Sequence, residues 1–132
     1  MKETRIIIAG GRDFNDYHTL ASSVDQIIER EISAKDRENI VIISGSARGA
    51  EKLGEQYAFI HGYRSIIALP EWDKYGKAAG PIRNKTMAVY ATTDNSRGIL
   101  LAFWDGKSIG TKNMIDTAYI YGMQVYVVRY EE

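Results

Sequence analysis

Apolar residues occur along the chain in five short runs, which are separated by longer segments of mixed polarity. The runs are rich in β-branched residues and show no regular alternation with polar residues, which is typical of strands buried on both faces of a parallel sheet. The five runs are residues 5–9, 40–43, 66–69, 99–103 and 124–128. The pattern therefore predicts five strands in one parallel sheet.

The first two segments between the runs carry apolar residues at helical spacing. One helix is predicted at roughly residues 17–33, with Asp16 as its N-cap. A second is predicted over residues 50–61, where small and apolar residues share a face that can lie close to a sheet, and Gly62 is expected to end it.

Two further helices follow later in the chain. Gly80 and Pro81 indicate the start of a helix that extends to about residue 91, because proline is favoured at the first helical position. Thr111 is the predicted N-cap of a last helix that ends at Gly122. Alternating strands and helices predict a Rossmann-like α/β fold, a doubly wound parallel sheet of about five strands with helices on both faces.

The length, composition and net charge of the chain limit how many domains it can form and which partners it can bind. The 132 residues correspond to a single domain, residues 1–132, and the composition, 45% hydrophobic and 26% charged, is that of an ordinary globular protein. Seventeen basic and seventeen acidic residues give a net charge of zero. This balance argues against binding to duplex DNA or to a membrane surface through a diffuse basic field, so any contact with a polyanion must be local.

Composition also limits the catalytic and metal chemistry. The chain has no cysteine, which excludes disulfides, thiolate metal ligands and a cysteine nucleophile. Its two histidines, His18 and His61, have no neighbours suited to a zinc site or a catalytic triad, so no metal site is predicted. The four apolar residues 6–9 are too few for a signal-peptide core, and we therefore expect a cytoplasmic protein with no membrane partner.

Glycines and cations gather where the predicted strands lead into helices. Eight of the twelve glycines fall in these connections, at positions 10, 11, 45, 49, 76, 80, 106 and 110. Arg12, Arg48, Arg83 and Lys112 lie near the predicted helix starts, where the helix dipole is already positive, and a bound anion would account for all four together. The alternative is that tight turns need glycine anyway, and that the long cationic side chains extend into solvent or pair with Asp13, Glu51 and Asp105.

Two features could add to such a site. The hydroxyls of Ser44 and Ser46 are possible phosphate donors, although either could instead bond its own turn. Residues 70–85 form a long connection, and loops of this length in small domains are usually functional. Within it, Trp72 and Tyr75 are candidates for stacking on a nucleotide base, with Trp72 equally able to cover the edge of the core.

Four motifs in these connections resemble the motif series of the SLOG superfamily, and most closely its YspA-like branch of bacterial and phage proteins. The motifs are residues 10–14, 44–51, 75–87 and 110–114. The resemblance covers nearly the whole chain. It implies a Rossmann-like fold that binds nucleotides or nucleotide-derived ligands such as ADP-ribose, in a superfamily that also contains the DNA-processing protein DprA and phosphoribohydrolases.

Motif by motif, the resemblance and the charge pattern select the residues of the expected site. The chain departs from the second motif of the family at Ser46, where glycine is usual, and at Glu51, where aspartate is usual. The expected ligand- and phosphate-binding residues are Gly10, Gly11, Arg12, Ser44, Gly45, Ser46, Arg48, Gly49, Gly80, Arg83, Asn84, Gly110, Thr111 and Lys112.

Three functions remain open on the sequence. The first is a domain that binds a nucleotide or an ADP-ribose-like ligand, as a sensor or in its processing, with no other cofactor. The second is a hydrolase of an N-glycosidic or phosphate bond, with Asp13, Glu51 or Asp105 as the acid or base, although the glutamate that follows Gly110 and Thr111 in the phosphoribohydrolases is absent here. The third is DprA-like binding of single-stranded DNA, which the neutral net charge disfavours.

The nine tyrosines predict self-association. They are more than a small core can bury with every hydroxyl satisfied, and tyrosine is favoured at interfaces because it combines apolar area with a polar tip. Tyr90, Tyr119 and Tyr121 fall on or beside helix faces that the sheet cannot wholly cover. We expect a two-fold homodimer.

Overall fold

Five parallel strands form one sheet in the part of the chain that the computed structural model describes, residues 2–45 and 47–131. The strands are β1 (Thr4–Gly10), β2 (Ile40–Ser44), β3 (Arg64–Ile67), β4 (Arg97–Trp104) and β5 (Gln124–Arg129). Their spatial order is β3-β2-β1-β4-β5. The chain leaves β1 towards one edge of the sheet and later returns to the other side, so the order reverses between β1 and β4, which confirms the doubly wound fold.

Five α-helices connect the strands. They are α1 (Tyr17–Glu31), α2 (Ala50–His61), α3 (Trp72–Tyr75), α4 (Ala79–Thr92) and α5 (Ile109–Ile120). Two short 3₁₀ helices, Ala34–Asn39 and Gly76–Ala78, precede β2 and α4. The sequence pattern predicted neither of these short helices nor α3.

The core lies on both faces of the sheet, as the apolar runs predicted. Ile6 and Ile8 of β1 pack with α1 and α2, whereas Ile7 and Ala9 of the same strand pack with α4 and α5. Successive side chains of a strand point to opposite faces, so a strand covered on both sides must be apolar at every position. This explains the continuous runs in β1, β2 and β4.

The two outer strands of the sheet are not covered on both faces, so this rule does not apply to them. Only one residue of β3 is even partly buried, and β5 has four partly buried and two exposed residues and none that is fully buried. Each of these strands has one neighbour in the sheet, and the helices do not cover it fully. β3 also begins at Arg64 rather than at residue 66, so the predicted strand over residues 66–69 was displaced by two residues towards the C-terminus.

The predicted bounds were correct for α2 and for the start of α1, whereas α1 ends at Glu31 rather than near residue 33 and the predicted starts of the two later helices were wrong. The carboxylate of Asp16 accepts the backbone N–H of Thr19 (3.0 Å), and Gly62 ends α2 in the left-handed region at φ +74°. In α5 the N-cap is Ser108 rather than Thr111, whose N–H is the group that Ser108 caps.

Helix α4 begins one residue before Gly80, because the 3₁₀ turn Gly76–Ala78 runs directly into it. Pro81 is therefore the third helical residue and not the first. Proline is tolerated there because the first four N–H groups of a helix have no partner within the helix.

Gly10, the last residue of β1, is held where three elements meet. A Cβ atom at this position would lie 2.6 Å from the backbone oxygen of Phe103 in β4 and 2.7 Å from the Cβ of Ala50 in α2. Neither of these atoms can move without shifting a strand or a helix. The sheet and α2 can therefore approach this closely only with glycine at residue 10.

We expect Gly10→Ala to lower the free energy of unfolding by about 1–3 kcal/mol, which is the usual penalty for overpacking. Gly110→Ala is a matched control, since a Cβ there meets nothing within 4 Å. The control should leave the free energy of unfolding unchanged or raise it by up to about 1 kcal/mol, because alanine is the better helix former. Urea denaturation of the two variants measures both values, and equal stability would contradict the prediction.

Candidate functional site

A cavity of about 550 Å³ opens at the carboxyl ends of β1 and β4, where the strand order reverses. Ligands of open α/β sheets bind at this position, and the volume is within the range of small-molecule sites. Four connections form its wall: the turn after β1, the loop after β2, the segment from α3 into α4, and the turn from β4 into α5.

Most of the residues predicted for the site line this cavity. They are Gly10, Gly11, Arg12, Arg48, Trp72, Gly80, Arg83, Asn84, Gly110 and Thr111, together with the acid candidates Asp13, Glu51 and Asp105. Ser46 lies outside the described residues. Lys77 and Asn113 also line the cavity, although the sequence argument did not select either, and both lie in motifs that carried the family resemblance.

Five predicted residues are not among those that line the cavity: Ser44, Gly45, Gly49, Tyr75 and Lys112. The ammonium of Lys112 is 2.8 Å from the carboxylate of Asp116, one turn further along the exposed face of α5. The buried hydroxyl of Ser44 donates to the carboxylate of Glu55 (2.8 Å) and to the backbone oxygen of Glu51 (3.1 Å). Neither side chain is directed at a ligand in the cavity.

Gly49 allows the first two turns to pack against each other. Gly49 has φ +87°, and a Cβ there would overlap the backbone oxygen of Gly11 and the backbone of Arg12. The oxygen of Gly11 accepts the N–H of Ala50 (3.3 Å), which is the first residue of α2. Glycine at residue 49 is therefore required by the contact between the two turns, whatever the cavity binds.

A polar network joins three of the four connections. The Arg83 guanidinium donates through Nη1 to the backbone oxygen of Gly45 (2.8 Å) and through Nε to the Asn84 side chain (3.1 Å). Asn84 is buried and donates to Asn113 (3.0 Å) and to the backbone oxygen of Gly110 (3.3 Å). Gly45 has no space for a Cβ, because the Arg83 guanidinium occupies it.

Glu51 provides the carboxylate of this network. Its side chain is buried, and Oε1 accepts the N–H of Ala47 (3.1 Å) and lies 3.5 Å from Nη1 of Arg83. Burial raises the pKa of this carboxyl, although the positive charge of Arg83 and hydrogen bonds from the N–H groups of Ala47 and Gly45 oppose the rise. Glu51 thus holds the loop after β2 against α4.

The other two acids of the cavity are also engaged. The hydroxyl of Tyr130, next to the end of β5, donates to Asp13 (2.6 Å), and its position above Gly11 leaves no room for a side chain there. Asp105 accepts the N–H groups of Ser108 and Lys107 (2.8 Å each), and these hydrogen bonds lower its pKa. Asp105 therefore stays ionised at neutral pH and is a poor proton donor.

Three cations of the cavity, unlike its acids, are not engaged by other side chains or backbone groups of the described residues. Arg12, Arg48 and Lys77 line it, and their side chains make no ion pair or hydrogen bond with the residues that the structure describes. All three are exposed. They are cations at the mouth of the cavity without a direct partner in the described part of the protein, although the carboxylates of Asp13 and Asp105 line the same cavity.

The two predicted stacking residues lie in different surroundings. Trp72 is 50% exposed and lines the cavity, with its ring 3.6 Å from the Cβ position of Gly80. Tyr75, at the other end of α3, lines a separate small groove with Leu69 and Ile82, and the ammonium of Lys74 lies over its ring at 5.0 Å. Only Trp72 of this pair is available to a ligand in the cavity.

The described residues offer neither a metal centre nor a helix that could cross a membrane. No group of three or more His, Asp or Glu side chains in the described ranges could hold a metal ion. No helix within residues 2–45 or 47–131 combines the length and the apolar character needed to cross a membrane.

Known proteins resemble this chain in sequence and in fold. Gene 61 protein of Mycobacterium phage D29 is 29% identical over 126 residues, which cover 92% of this chain and 93% of the phage protein. The X-ray structure of DNA processing protein A (DprA) from Streptococcus pneumoniae superimposes with a TM-score of 0.67 and 18% identity over 98% of this chain. The chain spans about half (51%) of the length of DprA, and this likeness shows the fold alone.

The model of one family matches residues 4–75, more than half of the chain. This segment contains β1, β2 and β3 with the first two turns of the cavity. The chain therefore belongs to the YspA, cpYpsA-related SLOG family.

Proposed function

We propose that the cavity binds a nucleotide or a nucleotide-derived phosphate ligand such as ADP-ribose, and that the protein acts as a sensor or a processing domain for it. The observation that carries the proposal is the set of three cations, Arg12, Arg48 and Lys77, which have no ion pair or hydrogen bond among the described residues and surround a cavity at the switch point of the sheet. Phosphate groups are the ligands that would neutralise such a set.

A contrast within the protein supports this assignment. At the opposite edge, where the strands begin, arginines are paired: Arg5 and Arg64 contact Glu3 (2.9 Å each), and Arg97 contacts Glu31 (2.7 Å). Exposed lysines such as Lys35 also lack a partner among the described residues, so the contrast is between these paired arginines and three cations that border one cavity. At the carboxyl edge the acids are engaged by Tyr130, by backbone N–H groups and by Arg83, which leaves the remaining cations for a ligand.

Backbone groups add to the attraction for an anion. Residues Ile109 and Gly110, the first two of α5, line the cavity, and the unpaired N–H groups of a helix N-terminus favour negative charge. The indole of Trp72 offers an exposed aromatic face on the same cavity. A nucleotide with its phosphate near the cations and its base stacked on Trp72 would use both of these features of the cavity.

Self-association is a separate proposal. Of the three tyrosines predicted at an interface, Tyr119 is 62% exposed and lies beside Ile120, which is 81% exposed at the end of α5. Tyr90 and Tyr121 are partly buried against the core of the monomer and offer less surface. The exposed pair supports a homodimer through this end of α5.

We expect Arg48→Ala to weaken binding of ADP-ribose by about 1.5–3 kcal/mol, the contribution of a charge-assisted hydrogen bond. Lys35→Ala is the matched control, since it removes one exposed cation from the 3₁₀ helix at the opposite edge and should leave affinity unchanged. Calorimetry with ADP-ribose, AMP, ATP and NAD measures the affinities. The proposal would be wrong if the unaltered chain bound none of these at millimolar concentration.

Trp72→Ala is expected to weaken binding of AMP by about 1–3 kcal/mol, the usual contribution of a base stacked on an aromatic ring. Tyr75→Ala, in the same short helix but outside the cavity, should have no effect. Ribose 5-phosphate has no base, so neither variant should change its affinity. Equal losses in both variants with a single-stranded oligonucleotide would favour the DNA-binding alternative instead.

Hydrolysis is the second candidate, because Glu51 is a buried carboxyl of raised pKa in the wall of the cavity. We nevertheless expect no release of free base from AMP, CMP or GMP at an enzymatic rate. Lys112 and Asn113 follow Thr111 where the phosphoribohydrolases have a glutamate, and Asp105 is held ionised by two N–H groups. Chromatography after incubation decides this, and turnover that Glu51→Gln abolished would make hydrolysis the primary function.

A further inference from the structure

Glu51 and Arg83 form a buried ion pair in the wall of the proposed ligand site. The carboxylate is 4% exposed, and its Oε1 is 3.5 Å from Nη1 of Arg83. A buried carboxylate is strongly destabilised unless a cation or hydrogen bonds compensate its charge. Here the compensation comes from one guanidinium and from backbone N–H groups of the loop after β2.

The groups that face Glu51 can be named element by element. Helix α4 contributes Arg83, and the loop after β2 contributes the N–H groups of Ala47 and Gly45. Its own helix contributes Glu55, one turn away, whose negative charge opposes ionisation of Glu51. In the described ranges Arg83 is thus the cation that stabilises the ionised form of Glu51.

Arg83 also has a free side. Nη1 donates to the backbone oxygen of Gly45 and faces Glu51, and Nε donates to Asn84. Nη2 makes no hydrogen bond with the residues that the structure describes, and Arg83 lines the cavity. The contacts on Nη1 and Nε hold the guanidinium plane in one orientation while Nη2 remains available to a ligand.

A phosphate that binds to Arg83 brings a second anion next to the buried carboxylate. The two negative charges then share one guanidinium in a region of low dielectric, where like charges repel strongly. Protonation of the carboxylate removes the repulsion and leaves the neutral acid able to accept the Ala47 N–H through its carbonyl oxygen. The carboxylate gains one proton from solvent, and no other bond changes.

We propose that Glu51 is a positioning residue that orients Arg83 towards the ligand, and that it takes up a proton when a phosphate ligand binds, so that affinity depends on pH. This inference rests on the proposed function. The direction of the shift in the unliganded protein supports it, because burial already raises the pKa of Glu51, and a phosphate would raise it further.

Because a bound phosphate raises the pKa of Glu51 above its value in the unliganded protein, affinity must fall as pH rises. Binding is tightest below the pKa of Glu51 in the unliganded protein, where the group is already protonated. Affinity falls as pH rises between the pKa of the unliganded protein and the higher pKa of the complex, by up to about tenfold per pH unit for one proton. Above both values the affinity no longer changes with pH.

ADP-ribose is the suitable probe, because its two linked phosphates have no group that titrates near neutral pH. Calorimetry in two buffers of different ionisation enthalpy counts the protons taken up by the unaltered chain, with an expected maximum of about one per ligand. Glu51→Gln has nearly the same shape but cannot ionise, so it should bind with no proton uptake and with an affinity independent of pH. Glu55→Gln, the control, should keep the proton uptake, with the pH dependence moved to lower pH because the negative charge of Glu55 raises the pKa of Glu51.

The outcomes separate the two proposals. If the unaltered chain binds no nucleotide, the proposed function is wrong and this inference falls with it. If it binds ADP-ribose with no proton uptake at any pH, only the inference is wrong. A purely structural role for Glu51 predicts that Glu51→Gln lowers affinity by the same factor at every pH, which would also overturn it.

A second measurement does not depend on the stability of the variant. Infrared difference spectra of the unaltered chain, with and without ADP-ribose, should show a carboxylate band replaced by the carbonyl band of a protonated carboxyl group. Spectra without this change, under conditions where calorimetry shows binding, would contradict the proposal even if Glu51→Gln did not fold.

Discussion

The close approach of backbone at the end of β1 is the constraint on which the rest of the structure depends. Gly10 lies against the backbone oxygen of Phe103 and the side chain of Ala50, so that β1, β4 and the first residue of α2 meet without an intervening side chain. The next residue, Gly11, then donates to Phe103 and accepts from Ala50. The strand order reverses at this junction, and the cavity opens beside it.

The polar groups of the cavity wall combine a structural role with the proposed binding role. Arg83, Asn84 and Glu51 tie α4 to the loop after β2 and to the start of α5, and these contacts compensate groups whose burial would otherwise be unfavourable. The network leaves one side of Arg83 open to the cavity. Because Arg83 faces Glu51 and also lines the cavity, we expect a phosphate bound there to alter the protonation of Glu51.

Two cations near helix starts show that position along the chain does not reveal which way a side chain faces. Arg83 and Lys112 are the fifth and fourth residues of their helices, and charge patterning assigned both to one anion site. Arg83 faces the cavity, whereas Lys112 lies on the exposed side of α5 with Asp116. The rotation of each helix about its axis separates them, and this is set by the packing of apolar residues such as Met87 and Met114 against the sheet.

Local patterns in the sequence predicted the five strands, the four longer helices and the edge of the sheet at which the candidate site lies. Runs without polar alternation predicted β1, β2 and β4, since both faces of these strands are covered, and glycines with cations after strands predicted the carboxyl edge. Tertiary structure alone decided which strands lie at the edges, which side chains enter the cavity, and that Glu51 is buried against Arg83. These depend on strand order and helix rotation, which arise from contacts between residues far apart in the chain, and no local pattern records them.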